Sequence, residues 1–321
     1  SPSRGLGDVY KRQVIDWLSQ NFADGIVVLH EGEIRYERYF NDMTARTLHL
    51  SQSMAKSVTS AVAGILVSRN QLDPEEQITT YLPELTQTGW KGAKLRHALD
   101  MTSGVRYVED YEALDSDIAA TDIASGWRSA KPDVPYFQCI WDQNLSLTET
   151  VRGHGEVFEY RSIETDVLAH CMERVTQTPL AELISRELWQ PLGVEESACF
   201  TVDGAGYPLA CGGFNATLRD YARLGLLALA DGVLPDGTRV LPEGWMAAST
   251  APSQGYEGYG YKWWLDADGR YGAYGIFGQT IAVDPKAKLV IAVHSNAQAA
   301  SGSAYGQELE AALAAISEHL R

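Results

Sequence analysis

Strand-type runs of residues lie at both ends of this 321-residue chain, and the region between them is mostly of helix and loop type. Near the start, residues 25–40 (GIVVLHEGEIRYERYF) form two such runs around the turn signal HEGE, which predicts a β-hairpin. Near the end, the runs YGYKWWLD, YGAYGIFGQTIAVDP and KLVIAVHS precede a helical pattern at 303–320. One sheet must therefore be built from both chain ends.

The middle of the chain predicts a mainly helical insertion. Amphipathic patterns occur at 163–175, 179–189 and 217–230. With 45% hydrophobic residues, the chain can bury a large core. We expect an α/β fold with a discontinuous sheet domain, residues 14–65 and 246–321, and a helical domain, residues 66–245.

The charge of the chain limits its partners. A net charge of −16 and a pI near 4.8 make the surface repel phosphate backbones and anionic lipids. The apolar run AVAGILV is far shorter than the roughly 20 residues that a membrane-spanning helix needs. We therefore expect a small neutral or cationic substrate, no nucleic acid and no membrane. We also expect a monomer or homodimer.

The cysteines and histidines give no sign of a metal or cofactor. Cys139, Cys171, Cys199 and Cys211 have no CxxC spacing, and the seven histidines form no HExxH or HxH cluster. The cysteines are typical of buried free thiols in a reducing, cytoplasmic compartment, with an oxidised pair as the alternative. Residues 1–13 resemble translated sequencing-adaptor read-through at the end of a metagenomic contig. A natural N-terminus is therefore expected to be missing, which leaves export open.

Ser53 and Lys56 form an SxxK motif at the front of a small-residue, apolar helix. Spacing of i,i+3 places both side chains on one helix face, roughly 5–6 Å apart at Cβ. A serine hydroxyl is a weak nucleophile and needs an adjacent base. Apolar neighbours and the helix N-terminus are both expected to lower the pKa of the lysine, which would then accept the serine proton. The structural alternative is a lysine whose ammonium reaches solvent from the helix.

Further motifs, in order along the chain, resemble the serine hydrolases of the class C β-lactamase-like fold. Within that family, the pattern is closest to the 6-aminohexanoate-dimer (nylon-oligomer) hydrolases and their carboxylesterase relatives. The resemblance runs from about residue 25 to residue 321, and no GxSxG motif of the α/β-hydrolases is present. The segments that carry it are SMAK (53–56), LRHALDMTSGV (95–105), FEYRSIETDVLAHCMERVT (158–176), GGFNATLRDYARLGLLALADG (212–232) and GIFGQTIAVDP (275–285).

The resemblance implies roles for individual residues. Ser53 matches the nucleophile, Lys56 its base, and Tyr160 the tyrosine that relays a proton to the leaving group; the alternative for Tyr160 is one core aromatic among sixteen tyrosines. Backbone N–H groups of Ser53 and Ile276 match the oxyanion donors. We expect Tyr274 and Gly275 to line the substrate site, although a Gly-rich strand bulge would look the same.

A polar, acidic stretch at residues 105–130, here named the covering segment, is expected to be a loop over the substrate. By resemblance to the nylon-oligomer hydrolases, Tyr111, Asp122 and Trp127 would contact the substrate. Asp122 would attract an ammonium group. The alternative for Asp122 is a solvated loop carboxylate.

Two departures from the family affect the expected substrate. The Lys-Thr-Gly strand of β-lactamases is replaced by Ala273-Tyr274-Gly275, which leaves no cation for a β-lactam carboxylate. Cys211 stands where amide-cleaving relatives have asparagine or histidine, and it is taken as a substrate contact. We expect an acyl-enzyme hydrolase of small esters, and of short linear amides less efficiently, without a cofactor. The alternative is a penicillin-recognising relative that only binds its ligand.

Overall fold

The two ends of the chain pair directly in the centre of one antiparallel sheet. The computed structural model describes residues 14, 16–130, 136–300, 302 and 304–320. Strand β1 (Ala23–His30) pairs with β10 (Leu289–Ser295) on one side and with β2 (Glu33–Tyr39) on the other. The turn between β1 and β2 uses Glu31 and Gly32, both at positive φ, as a two-residue turn of type I′ requires. The predicted hairpin is confirmed.

The main sheet has seven strands in the order β2-β1-β10-β9-β8-β7-β6. A smaller sheet has the order β3-β5-β4. Its strands are two or three residues long and give no periodic signal, so the sequence did not predict it. The remaining strands are β3 (His49–Leu50), β4 (Cys199–Phe200), β5 (Phe214–Ala216), β6 (Tyr259–Gly260), β7 (Trp263–Leu265), β8 (Tyr271–Gly275) and β9 (Gln279–Asp284).

Most helices of the described residues lie between the two parts of the sheet in sequence. The three amphipathic patterns of the middle region are confirmed, and the last helix agrees with the predicted one to within a residue. The α-helices are Ala55–Ser68, Ile78–Tyr81, Leu95–Asp100, Asp117–Ala124, Ile140–Ser146, Ile163–Thr176, Leu180–Ile184, Leu218–Leu229, Trp245–Ser249 and Ala304–Leu320; Gln52–Met54, Pro83–Gln87 and Ile276–Gly278 form 3₁₀ turns, and Ser185–Trp189 forms a π-helical turn.

Strand β1 is buried on both faces and separates two hydrophobic cores. Val27 and Leu29 belong to the larger core, which lies between the sheet and the helical region. Ile26 and Val28 point the other way, into the core under helix Ala304–Leu320. A strand between two cores is therefore a continuous apolar run, as observed.

Two predictions about segments need correction. The covering segment is not a loop throughout, because Asp117–Ala124 is a helix whose N-cap, Ser116, accepts a hydrogen bond from the N–H of Ala119. The proposed domain boundary at residue 65 falls inside helix Ala55–Ser68. Residues 1–13, expected to be a non-native leader, lie outside the described residues.

All four cysteines are free thiols; Cys199 is exposed, against the prediction of burial, and the others are buried. Within the described part of the chain, no helix is both long and apolar enough to span a membrane.

Candidate active site

Ser53 lies in a 3₁₀ turn immediately before helix Ala55–Ser68. The preceding residue, Gln52, has φ of 50°, a conformation that costs energy for a residue with a side chain. The N–H of Ser51 donates to the carbonyl of Phe214 at 2.8 Å and fixes the entry to the turn. These contacts place the partly exposed Ser53 at the N-terminal end of a buried helix.

Buried serines of this helix bond to the β6–β7 turn. The hydroxyls of Ser57 and Ser60 donate to the carbonyls of Lys262 and Tyr261, at 2.7 and 2.8 Å. Both acceptor residues have positive φ, so their carbonyls point away from the regular sheet pattern. The polar residues of the helix thus satisfy a strained turn and fix the helix that positions Ser53 against the sheet.

Lys56 is 1% exposed and donates hydrogen bonds to two oxygen atoms. Its Nζ lies 2.9 Å from Oγ of Ser53 and 2.7 Å from the carbonyl oxygen of Cys211. The same Nζ lies 5.1 Å from the ring centroid of Tyr160. The predicted Ser53–Lys56 pair is therefore in hydrogen-bond contact, and its lysine does not reach solvent.

Met101 contacts the two residues that flank Tyr160. The N–H of Glu159 donates to the Met101 carbonyl at 2.9 Å, and the N–H of Arg161 lies 3.5 Å from the Met101 sulfur. The Tyr160 ring stacks on Trp264 at 5.5 Å, and its hydroxyl interacts with Ser53 and Lys56. Tyr160 is thus a member of the site and not a core aromatic.

The protonation of the Lys56–Tyr160 pair differs from the sequence prediction. Burial acts to lower the pKa of Lys56, but interactions with Tyr160, Cys211 and Glu109 act in the opposite direction, and the pKa of Lys56 is raised. Burial also raises the pKa of Tyr160, against the opposing charge of Lys56. At neutral pH the pair therefore holds both protons. The expected partly neutral lysine is wrong, and the pair must lose one proton before it can act as a base.

The end of strand β8 lies against the nucleophile turn. A Cβ at Gly275 would lie 2.5 Å from the carbonyl oxygen of Ser51 and 3.0 Å from the backbone nitrogen of Ser53, so this position has room only for glycine. Ile276 follows at once and begins a 3₁₀ turn. The backbone nitrogens of Ser53 and Ile276 thus belong to adjoining segments, as a pair of oxyanion donors requires.

One cavity of about 690 Å³ contains most of the predicted site. The predicted residues that line it are Ser53, Tyr111, Tyr160, Tyr274, Gly275 and Ile276. Lys56 lies behind Ser53. Asp122, Trp127 and Cys211 are not among the lining residues, and their predicted substrate contacts stay predictions.

In the covering segment, the carboxylate of Asp122 pairs with a cation. Nε of Arg128 lies 2.8 Å from Oδ2 of Asp122, and Nη2 of Arg128 donates to the Tyr111 carbonyl at 2.8 Å. Burial raises the pKa of Asp122, and Arg128 opposes that shift. Asp122 is therefore no free solvated carboxylate, and a substrate ammonium would compete with Arg128 for it.

Trp127 and Cys211 lie at the back of the site. A Cβ at Gly212 would lie 3.8 Å from the Trp127 ring, which places that ring next to the Gly-Gly segment. Cys211 contributes its carbonyl to Lys56, and its N–H donates to Asp166 at 3.2 Å. The Cys211 thiol is buried, and burial raises its pKa.

Buried charged groups lie behind the nucleophile helix. Burial raises the pKa of Glu164 to about 7 and of Asp166 to about 6, and it lowers the pKa of Lys262 to about 7. Ser103 donates to Glu164 at 2.6 Å. The sequence gives no sign of this group, since nothing in a single sequence separates a buried lysine or glutamate from an exposed one.

Glu109, also missed, lines the same cavity as Ser53. It stands in an acidic run in which Glu109 and Asp110 are equally plausible from sequence.

In the described ranges, no group of three or more histidine, cysteine, aspartate or glutamate residues is arranged to hold a metal ion.

Comparison with known proteins agrees with this geometry. The family model described as Beta-lactamase matches residues 19–315. The 6-aminohexanoate-dimer hydrolase of Paenarthrobacter ureafaciens is 33% identical over 291 residues, which are 85% of this chain and 72% of that protein.

Solved structures show the same fold. A Bacillus anthracis protein with a provisional assignment as a 6-aminohexanoate-dimer hydrolase has a TM-score of 0.87 and 30% identity, over 95% of this chain and 81% of its own. A family VIII carboxylesterase has a TM-score of 0.69 and 17% identity, over 96% and 95% of the two chains, and supports the fold alone. The chain belongs to the β-lactamase family and is a hydrolase of its serine β-lactamase-like superfamily.

Proposed function

We propose that the protein hydrolyses small carboxylic esters, and short linear amides more slowly, through an acyl-enzyme on Ser53. The observation that carries this proposal is the contact of Ser53 Oγ with Lys56 Nζ at 2.9 Å, beside the Tyr160 hydroxyl and inside a cavity. The similarity to a 6-aminohexanoate-dimer hydrolase supports it.

The first half of the reaction acylates Ser53. After the Lys56–Tyr160 pair has lost one proton, it accepts the proton of Ser53, and Oγ attacks the substrate carbonyl carbon. The N–H groups of Ser53 and Ile276 are assigned to stabilise the oxyanion. The tetrahedral intermediate then breaks down. The bond to the leaving group breaks, the leaving group takes a proton from the pair, and Ser53 keeps the acyl group as an ester.

The second half uses water in place of the serine. The pair accepts a proton from water, the hydroxide adds to the acyl carbon, and Ser53 leaves with the returned proton. An ester alkoxide needs less help in departing than an amine, which must be protonated as it leaves. The proposal therefore ranks esters above amides.

The substrate site favours linear molecules over β-lactams. Ala273 is 1% exposed, and Tyr274 occupies the next position, so strand β8 presents no cation next to Ser53 for a β-lactam carboxylate. A chromogenic cephalosporin should be turned over far more slowly than a butyrate ester.

A substrate panel tests the proposal. Steady-state kinetics with nitrophenyl esters, a linear 6-aminohexanoate dimer and a cephalosporin should rank the substrates in that order, and Ser53→Ala should remove all turnover. Equal efficiency on the cephalosporin and the ester would contradict the assigned substrate class. Tight cephalosporin binding with no turnover of any substrate would favour the alternative of a ligand-binding relative.

A further inference from the structure

Glu109 is a carboxylate in the catalytic cavity that the roles assigned so far do not use. It lines the cavity together with Ser53 and Tyr160, at the start of the covering segment. In the described part of the chain, no lysine, arginine or histidine lies within ion-pair distance of it. A carboxylate without a cation at this place needs a physical explanation.

Three hydrogen bonds hold Glu109, and two of them come from the residue two positions after Tyr160. The N–H of Ser162 donates to Oε2 at 2.7 Å, and the Ser162 hydroxyl donates to Oε1 at 2.5 Å. The hydroxyl of Tyr111 donates to the same Oε1 at 2.7 Å. Glu109 therefore joins the covering segment to the backbone that carries Tyr160.

Glu109 also acts on the Lys56–Tyr160 pair by its charge. Interactions with Tyr160, Cys211 and Glu109, in that order, act to raise the pKa of Lys56. The pKa values of Tyr160 and Cys211 are themselves raised, mainly by burial, so both are neutral at neutral pH. Of these three groups, Glu109 is the only carboxyl group.

Other ionisable groups face the pair from each neighbouring segment, and their effects oppose one another. The charge of Lys262 disfavours a charged Lys56, and Asp166 favours it. Tyr259 packs edge-on against Tyr160 and is neutral, because burial raises its pKa. Tyr111, whose pKa burial also raises, interacts with Tyr160, and Glu164 acts on Lys262.

We propose that Glu109 is a positioning residue for the catalytic pair: it fixes the Tyr160 segment through Ser162 and presents its carboxylate to the cavity that holds Ser53 and Tyr160. The inference rests on the proposed function of Ser53. It predicts that the charge of the Glu109 carboxylate and its contact with Ser162 have separate effects on turnover.

The substitution Glu109→Gln removes the charge and can keep the hydrogen bonds. The glutamine carbonyl can accept from the Ser162 N–H, while its amide can donate to the hydroxyls of Ser162 and Tyr111, which rotate to accept. The exposed Glu112 lies three residues further along the same segment. Glu112→Gln is the matched control, since it removes the same charge outside the cavity.

The test is the pH profile of kcat/KM for nitrophenyl butyrate. Glu109→Gln should move the rising limb about 0.5 to 1 pH unit lower, with a roughly three- to tenfold gain at neutral pH. Glu112→Gln should shift it by less than about 0.2 unit. Ser162→Ala, which keeps the charge, should lower kcat severalfold with the limb unmoved. An unshifted limb in folded Glu109→Gln overturns the inference.

A second variant tests the inference if the first one does not fold. If Glu109→Gln does not fold, Glu109→Asp takes its place: it keeps the charge but withdraws it from Ser162, so kcat should fall roughly tenfold without a downward shift of the limb. Unchanged kcat in that variant would overturn the positioning role. Turnover that survives Ser53→Ala would instead contradict the proposed function and leave Glu109 without a catalytic pair to position.

Discussion

The nucleophile turn and the covering segment build two sides of one site by different means. At the nucleophile turn, the backbones of Ser51, Ser53 and Gly275 approach so closely that a single added carbon would collide with them. In the covering segment, side chains hold the structure: Arg128 bonds to Asp122 and to the carbonyl of Tyr111.

The nucleophile turn therefore determines the chemical step, whereas the contacts of Arg128 influence which substrate is preferred. Groups fixed by backbone packing keep their geometry in every substrate complex, as acyl transfer requires. Groups fixed by ion pairs and hydrogen bonds can exchange partners with a substrate at modest cost. Substitutions at the nucleophile turn should therefore abolish turnover, and those at the Asp122–Arg128 pair should change which substrate is preferred.

The largest effect is expected at Gly275. Gly275→Ala puts a carbon 2.5 Å from the Ser51 carbonyl oxygen, so the strand end or the nucleophile turn must move, and ester turnover should fall at least about 100-fold. Gly212→Ala is the matched control, because its Cβ meets nothing closer than 3.8 Å. Similar losses in both variants, measured by kcat with folding checked by circular dichroism, would remove the distinction between the two sides.

The next effect is the pH dependence of the wild-type enzyme. The pKa values of Lys56 and Tyr160 are both raised, so the pair carries two protons at neutral pH and one must leave before Ser53 can be deprotonated. The efficiency kcat/KM should rise about tenfold per pH unit from neutral into alkaline pH. A plateau in kcat/KM that is already reached at neutral pH would support the partly neutral lysine that the sequence predicted.

A smaller effect is expected at Arg128. Arg128→Met removes the cation from Asp122, which would then be free to bind a substrate ammonium. Relative to a neutral ester, kcat/KM for a linear amide with a free amino end should rise roughly threefold, with a loss of about 1 kcal/mol in stability. The double variant Arg128→Met with Asp122→Asn should lose the gain. A gain that persists there would show that Asp122 is not the group responsible.

The smallest effect is expected at the Cys211 side chain. Lys56 bonds to the backbone carbonyl of Cys211 and not to its thiol. Cys211→Ser keeps that carbonyl and should leave ester kcat within about twofold of the wild type. A tenfold change would mean that the side chain contacts the substrate, as the sequence predicts.

The sequence predicted the fold well because periodic patterns and the SxxK spacing are local. The hairpin at 25–40, helix Ile163–Thr176 and the closing helix all follow from apolar periodicity. The contact of Ser53 with Lys56 follows from i,i+3 spacing on a helix turn. Short strands such as His49–Leu50 depend on long-range pairing and leave no such trace.

The partners of charged groups could not be predicted, because burial and pairing are set by tertiary contacts. Asp122 carries no sign in the sequence that Arg128 will neutralise it. The expected direction of the Lys56 pKa differs for the same reason: burial was anticipated, but the opposing interactions with Tyr160, Cys211 and Glu109 were not. A sequence identifies the reacting groups more easily than their protonation.

The most direct measurement of the central claim is covalent labelling of the serine. A fluorophosphonate reacts only with an activated serine, and peptide mass spectrometry identifies the residue that carries the adduct. We predict one stoichiometric adduct on Ser53, lost in Ser53→Ala and slowed at least about 100-fold in Lys56→Ala. Labelling of another serine, or equal labelling of Ser53→Ala and the wild type, would contradict the account.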